Sequence, residues 1–152
     1  MNIAFKINVR IQKPIAKVFD AVVNPQKLSG YFTKTASAPL REGEKAIWRF
    51  PEFPDMVAEV SVTKVVANKL IRFEWASQEG GYNTRVEMKF DAIEPGNTLL
   101  TISESGWRET DKGLEASYGN CSGWMNMACC LKAYAEYGIN LRKGAFHMDD
   151  FK

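Results

Sequence analysis

Apolar and polar residues alternate from the first positions of the chain. Ile3, Phe5, Ile7, Val9 and Ile11 share one side, while Lys6, Asn8, Arg10 and Gln12 share the other. Successive side chains of a strand point to opposite faces, so this period of two predicts a half-buried strand. The period then changes. Pro14 stands where a first helical turn begins, and Ile15, Val18, Phe19 and Val22 recur at helical spacing. Asn24-Pro25 ends that helix, because a proline has no N–H to continue the ladder. A second short helical turn is predicted around Gln26 to Leu28, closing at Gly30.

Between Pro39 and Trp107 the period of two returns, broken by turn residues. Arg41-Glu42-Gly43-Glu44 is a turn into a strand with Ala46, Trp48 and Phe50 inward, and Ile47 and Arg49 outward. Pro51 to Pro54 reads as a loop. Met56 to Ala67 reads as a long strand with Met56, Ala58, Val60 and Val62 on one face, and a bulge where alternation lapses at Val65-Val66. Asn68-Lys69 turns into Ile71, Phe73 and Trp75, and Gly80-Gly81 turns into Val86, Met88 and Phe90. Glu94-Pro95-Gly96-Asn97 is a strong turn signal leading to Leu100 and Ile102. Connections this short make an antiparallel meander.

The last third carries no strand pattern. From about Asp111 to Tyr137 it is rich in good helix formers, and Trp124, Met127, Ala128, Leu131, Tyr134 and Ala135 fall on one stripe. Gly119 and Gly123 leave two readings open, a start near Asp111 with a bend or a start near Asn120. Gly138 is the expected C-cap. A sheet apolar on one face must cover that face, and this helix, roughly 30 to 40 Å long, is the one element able to do so. Six or seven twisted strands curling around a straight helix cannot touch it everywhere. The expected result is an α+β domain, residues 1–142, with an apolar pocket between sheet and helix and a flexible tail, residues 143–152.

Composition narrows the function classes. The 152 residues are 45% hydrophobic and 25% charged, and 20 basic against 18 acidic residues leave a formal charge of +2. No Lys/Arg block forms a phosphate-binding stripe, which argues against nucleic acid. No apolar run reaches the ~18 residues of a membrane helix, and the alternating start is unlike a signal peptide, so a cytoplasmic protein without membrane insertion is expected. Cys121, Cys129 and Cys130 have no CxxC spacing and read as small apolar fillers rather than disulfide or zinc ligands. The single histidine, His147, sits in the tail, so no Ser/His/Asp or Cys/His relay is available. HExxH, GxSxG and phosphate-cradling glycine motifs are missing. No cofactor or metal is expected.

The candidate ligand-binding residues are those that alternation turns inward: Trp48, Phe50, Phe73, Trp75, Met88, Phe90, Trp124, Met127 and Leu131. Aromatic and methionine side chains in such places are more often plain core. Glu104 is the sharper candidate, since it continues the inward face of Leu100 and Ile102. Either it reaches solvent at the strand end, or it is buried and hydrogen-bonds a ligand hydroxyl or ammonium or acts as a general base. Tyr82, Asn83 and Arg49 are lesser polar candidates. No catalytic residue is assigned.

The segments IxKPIAKVFDAVVNPQKLSGYF, LREGEKAIWRF, NTLLTISESGW and GWMNMACCLKAYAEYG, in that order, resemble the family homologous to the activator of the ninety-kilodalton heat-shock-protein ATPase. That family belongs to the START-like (SRPBCC) helix-grip superfamily, with the polyketide cyclases and birch-pollen-allergen proteins. The resemblance runs from about Val9 to Gly138. It implies one strand, two helices, six strands and a long helix, with a hydrophobic cavity and no fixed metal or cofactor. The expected function is binding of a small hydrophobic, lipid-like or aromatic, molecule. The alternatives are a polyketide cyclase or dehydratase using pocket carboxylate chemistry, and a protein-interaction domain regulating a heat-shock ATPase. A homodimer is left open.

Overall fold

The structure, a computed structural model, describes residues 1–151. The first strand, β1 (Ala4–Ile11), leads into α1 (Ile15–Val23) and α2 (Pro25–Leu28). Asn24 serves both helices: it caps the end of α1, and its side chain accepts from the Gln26 N–H, at 3.0 Å, to start α2. The strands β2 (Thr35–Ala36), β3 (Lys45–Phe50), β4 (Phe53–Val66), β5 (Leu70–Ala76), β6 (Asn83–Glu94) and β7 (Asn97–Ser105) follow, then α3 (Asp111–Tyr137). All seven strands form one antiparallel sheet in the order β1-β7-β6-β5-β4-β3-β2. This is the α+β helix-grip architecture expected from the sequence.

Two local expectations are corrected, and the pattern reading lacked one of the six strands that the resemblance implied. A two-residue strand, β2, pairs with β3 and is too short to carry a period. The segment expected to loop from Pro51 to Pro54 turns only at Pro51-Glu52, and β4 already begins at Phe53. Phe53 pairs with Phe50 and Val57 with Arg49, so Pro54, Asp55 and Met56 bulge out without partners in β3. That bulge is why a proline is tolerated there. The bulge expected at Val65-Val66 instead lies between Val62 and Lys64. The extra residue shifts the alternation, which turns Val65 back toward the core after Val62.

α3 is continuous through Gly119 and Gly123. Thr110 caps its start by accepting the Gly113 N–H at 2.9 Å, and Gly138 ends it in the left-handed region at φ 68°. Its C-terminal half is tied to the end of β1. The Lys132 ammonium donates to the Arg10 carbonyl at 3.1 Å, and the Gln12 N–H donates to Glu136 at 3.2 Å. Among the strands α3 runs nearest β1, and its backbone stands off the middle of the sheet. Large side chains therefore bridge the gap: Trp48, Phe73, Met88, Phe90, Met127 and Leu131 are all buried there. The core is filled over β6, β7 and the second half of α3, with Phe19 of α1 packed edge-on to Phe90 at 5.1 Å.

Beyond α3 the described residues return to the body of the protein. A closing 3₁₀ turn, Met148–Phe151, brings the Phe151 ring to 5.4 Å from Phe53 of β4. Lys152, the last residue of the expected flexible tail, lies outside the described residues. No helix among the described residues is long and apolar enough to cross a membrane.

Two predictions follow from how α3 is seated. A Cβ on Gly113 would lie 2.2 Å from the Arg108 carbonyl oxygen, a backbone atom that cannot step aside. Gly113→Ala is expected to lower unfolding free energy by about 2–3 kcal/mol in urea titrations. Glu136 is partly buried, which works against its charge, but the hydrogen bonds from Lys132 and Gln12 outweigh this and hold its carboxyl below the usual 4.5. A lowered folded-state value means the contribution is complete above about pH 4.5 and fades as pH falls through that lower value. The stability gap between wild type and Glu136→Gln is therefore expected to close below about pH 4.5.

Candidate functional site

The wedge where α3 diverges from the sheet is not wholly filled. A hollow of about 410 Å³ opens at the end carrying the first half of the helix. Its walls are mainly apolar: Phe50 from β3, Phe53 and Met56 from β4, Trp75 from β5, and Trp124 from α3. Trp75 and Trp124 stack on each other with centroids 5.3 Å apart and planes 28° from parallel. Gly119 and Gly123 also face it, and a Cβ at either would meet no heavy atom within 4 Å. The helix thus contributes an open floor at two positions one turn apart.

Glu104 stands directly behind this wall and is 1% exposed. Its Oε1 accepts from the Trp124 indole at 2.8 Å and from the Asn120 amide at 3.1 Å. Its Oε2 accepts from the Trp75 indole at 3.0 Å, the Thr84 hydroxyl at 2.6 Å and the Asn120 amide at 3.0 Å. The sequence builds this convergence simply. Strand register sets Trp75 opposite Thr84 and Val86 opposite Glu104, so the three polar groups share one face. Asn120 and Trp124 are one helical turn apart and reach the carboxylate from above. An ionised carboxylate offers about four lone-pair sites and no donor; here four donors take them.

The other wall is fastened by Arg142. Its guanidinium donates to Glu52 Oε1 from Nε at 2.8 Å and also from Nη2, while Nη1 donates to Asn126 Oδ1 at 3.1 Å. The side chains of Arg142 and Glu52 are only 11% and 5% exposed, so the pair is largely shielded from water. The guanidinium also lies over the rings of Phe32, at 5.2 Å, and Phe146, at 5.3 Å. This one residue joins the turn after α3 to the β3–β4 turn and to the helix itself. A larger cleft of about 640 Å³ lies across Arg142, and the exposed Lys34, Lys143 and His147 make its walls more polar than those of the hollow.

Of the residues expected to bind ligand, Phe50, Trp75 and Trp124 line the hollow. Glu104 does not: it orients Trp75, Trp124 and Asn120, which do. Trp48 and Phe73 pack behind the stacked tryptophans, with Phe73 5.5 Å from Trp75 and Trp48 6.1 Å from it. Met88, Phe90, Met127 and Leu131 fill the core away from the opening. Tyr82 lies outside the hollow, donating to Glu79 at 2.6 Å and accepting the Arg108 N–H at 3.1 Å, and Asn83 and Arg49 are exposed. Sequence reasoning missed Asn120, Thr84, Arg142, Glu52 and the tail phenylalanines. Thr84 could have been found by extending the β6 alternation two residues back from Val86.

The hollow offers apolar ring faces, and the carboxylate behind it is engaged by four donors. Glu104 has no acceptor site left to take a proton from a substrate. Burial pushes the Cys130 thiol upward, the opposite of what a nucleophilic cysteine needs. Among the described residues no cluster of three or more His, Cys, Asp or Glu side chains could hold a metal ion. Glu104→Gln puts a donor where four donors already converge. It is expected to lower unfolding free energy by about 2–4 kcal/mol in urea titrations; a loss below about 1 kcal/mol would show the network to be dispensable.

Comparison with known proteins gives the fold a lineage. The sequence profile of the family described as Activator of Hsp90 ATPase homolog 1-like protein matches residues 12–136. No curated protein matches the chain in sequence. Among solved structures, protein SSP2350 from Staphylococcus saprophyticus is 24% identical, with a TM-score of 0.77 over 92% of this chain and 96% of that one. DynU16, described as a putative protein in the dynemicin biosynthetic locus, is 20% identical, with a TM-score of 0.78 over 90% of this chain and 48% of that one. The Aha1 dimer from Colwellia psychrerythraea is 22% identical, with a TM-score of 0.73 over 90% of this chain and 98% of that one. At these identities the likeness is one of fold.

Proposed function

We propose that this chain, which belongs to the Activator of Hsp90 ATPase homolog 1-like family, binds a flat, largely apolar small molecule in the hollow between Trp75, Trp124 and the post-helix segment. The observation that carries the reading is a mainly apolar hollow of about 410 Å³ whose two lining indole N–H groups, on Trp75 and Trp124, are already bonded to Glu104. Its size falls within the range of roughly 300–1,000 Å³ that small-molecule sites occupy. Stacked tryptophans present flat faces, which favours ring systems over branched chains. Burying about 300 Å² of apolar ligand surface at ~25 cal/mol/Å² contributes roughly 7.5 kcal/mol before entropy costs, which favours weak, saturable binding.

The two helix glycines support the same reading. Glycine in a helix interior costs about 1 kcal/mol relative to alanine, and neither Gly119 nor Gly123 is required by a close contact or a left-handed backbone. Open volume over the hollow gives both a purpose. A cyclase or dehydratase would need a carboxylate free to exchange a proton, and Glu104 is fully engaged. The likeness to DynU16, whose description places it in a biosynthetic locus, keeps a natural-product ligand in view. Regulation of a heat-shock ATPase has only the family name behind it. The Colwellia neighbour is described as a dimer, and homodimerisation of this chain is proposed on that likeness alone.

Calorimetric titration with 2-naphthylmethanol, a neutral bicyclic probe, tests the binding. Saturable binding is expected in the wild type. In Gly123→Leu, whose Cβ would meet no heavy atom within 4 Å and whose side chain grows toward the hollow, affinity is expected to drop at least about tenfold while stability is kept or raised by about 1 kcal/mol. Absence of saturable binding by the wild type, or full binding by the filled variant, would overturn the assignment.

A further inference from the structure

Glu104 carries a formal charge that nothing beside it balances. Its partners are two indoles, an amide and a hydroxyl, all neutral, and no described residue forms an ion pair with it. The basic residues on the strands around it, Lys6, Arg72, Arg85 and Lys89, occupy the opposite alternation and are exposed. Solvent screens them from the interior. Arg142 is the charged residue that lines the hollow, and Glu52, outside the lining, pairs with it and offsets its charge. Behind the walls of the hollow there is therefore one buried carboxylate without a counter-cation among the described residues.

We propose that this charge makes the hollow selective for a cationic aromatic ligand, a flat ring system bearing an ammonium group, over neutral or anionic molecules of the same shape. The inference rests on the binding reading above and specifies its ligand class. Hydrogen bonds lower the cost of burying a carboxylate, but neutral dipoles do not remove its net charge. A ligand seated against Trp75 and Trp124 lies one indole away from that charge. Each indole donates its N–H to the carboxylate, which polarises the ring and leaves its far portion richer in electrons. The ring faces attract a cation in their own right, so the two effects act in the same direction. For unit charges about 8 Å apart in a medium of effective dielectric near 20, the attraction amounts to about tenfold in affinity or more. An anion meets the same field as a penalty.

The experiment is a calorimetric comparison of three probes sharing one ring: (2-naphthylmethyl)trimethylammonium, 2-naphthylmethanol and 2-naphthylacetate. The expected order is cation, neutral, anion, with about tenfold separating neighbours. The order is expected to persist in about 0.5 M salt, because a buried charge is poorly screened, whereas a preference created at the surface would collapse. Glu104→Gln, where it folds, is expected to equalise the three. Equal affinities, a preference for the anion, loss of the order in salt, or its survival in folded Glu104→Gln would each overturn the charge selectivity while leaving the binding assignment standing. If none of the three binds, both fall together.

Discussion

A single buried carboxylate organises the open end of this molecule. Glu104 could not remain beneath the helix without donors, and it draws them from three directions: Trp75 and Thr84 from neighbouring strands, and Asn120 and Trp124 from α3. Removing water from a charge is costly, so the arrangement holds only if all the donors arrive together. That requirement fixes the rotation of α3 about its own axis and the orientation of both indoles. The two tryptophans stack because their N–H ends are pinned to the same pair of oxygens, and the wall of the hollow is the outer surface of that stack.

The rest of the fold decides where the opening lies. Lys132 and Glu136 hold the far half of α3 to the end of β1, so the helix approaches the sheet there and diverges toward Asp111. At the closed end aliphatic side chains and one Phe pair fill the interior. At the open end aromatic rings span the wider gap, and the bulge at Pro54 to Met56 carries β4 outward to form a rim. The post-helix segment then borders the hollow through Arg142 and Phe146. The chamber is thus made from elements far apart in sequence: residues 52 and 142 form one contact across 90 positions.

What could be read from the sequence was what repeats locally. Alternation placed Phe50, Trp75 and Trp124 on the inner face and turned Glu104 inward, and all four lie at or directly behind the hollow. It could not say that Met88, Phe90, Met127 and Leu131 would be packed tight, because burial in a core and exposure to a cavity produce the same pattern. Asn120 escaped notice because a helical stripe is recognised by its apolar members, and a polar group there is legible only once its partner is known. The Arg142–Glu52 pair has no periodic signature. Similarly, the bulge that admits Pro54 is invisible to a pattern that treats proline as a strand breaker.

The paired glycines of α3 carry an evolutionary implication. Most chambers are sculpted by side chains that also hold the protein together, so altering their contents risks the fold. Here two positions of the floor are free of close contacts, and replacing either residue with a larger one would reshape the hollow while strengthening the helix that bears it. Lineages sharing this scaffold could therefore diverge in what they accommodate through single, thermodynamically harmless steps, with the carboxylate and its four donors left untouched.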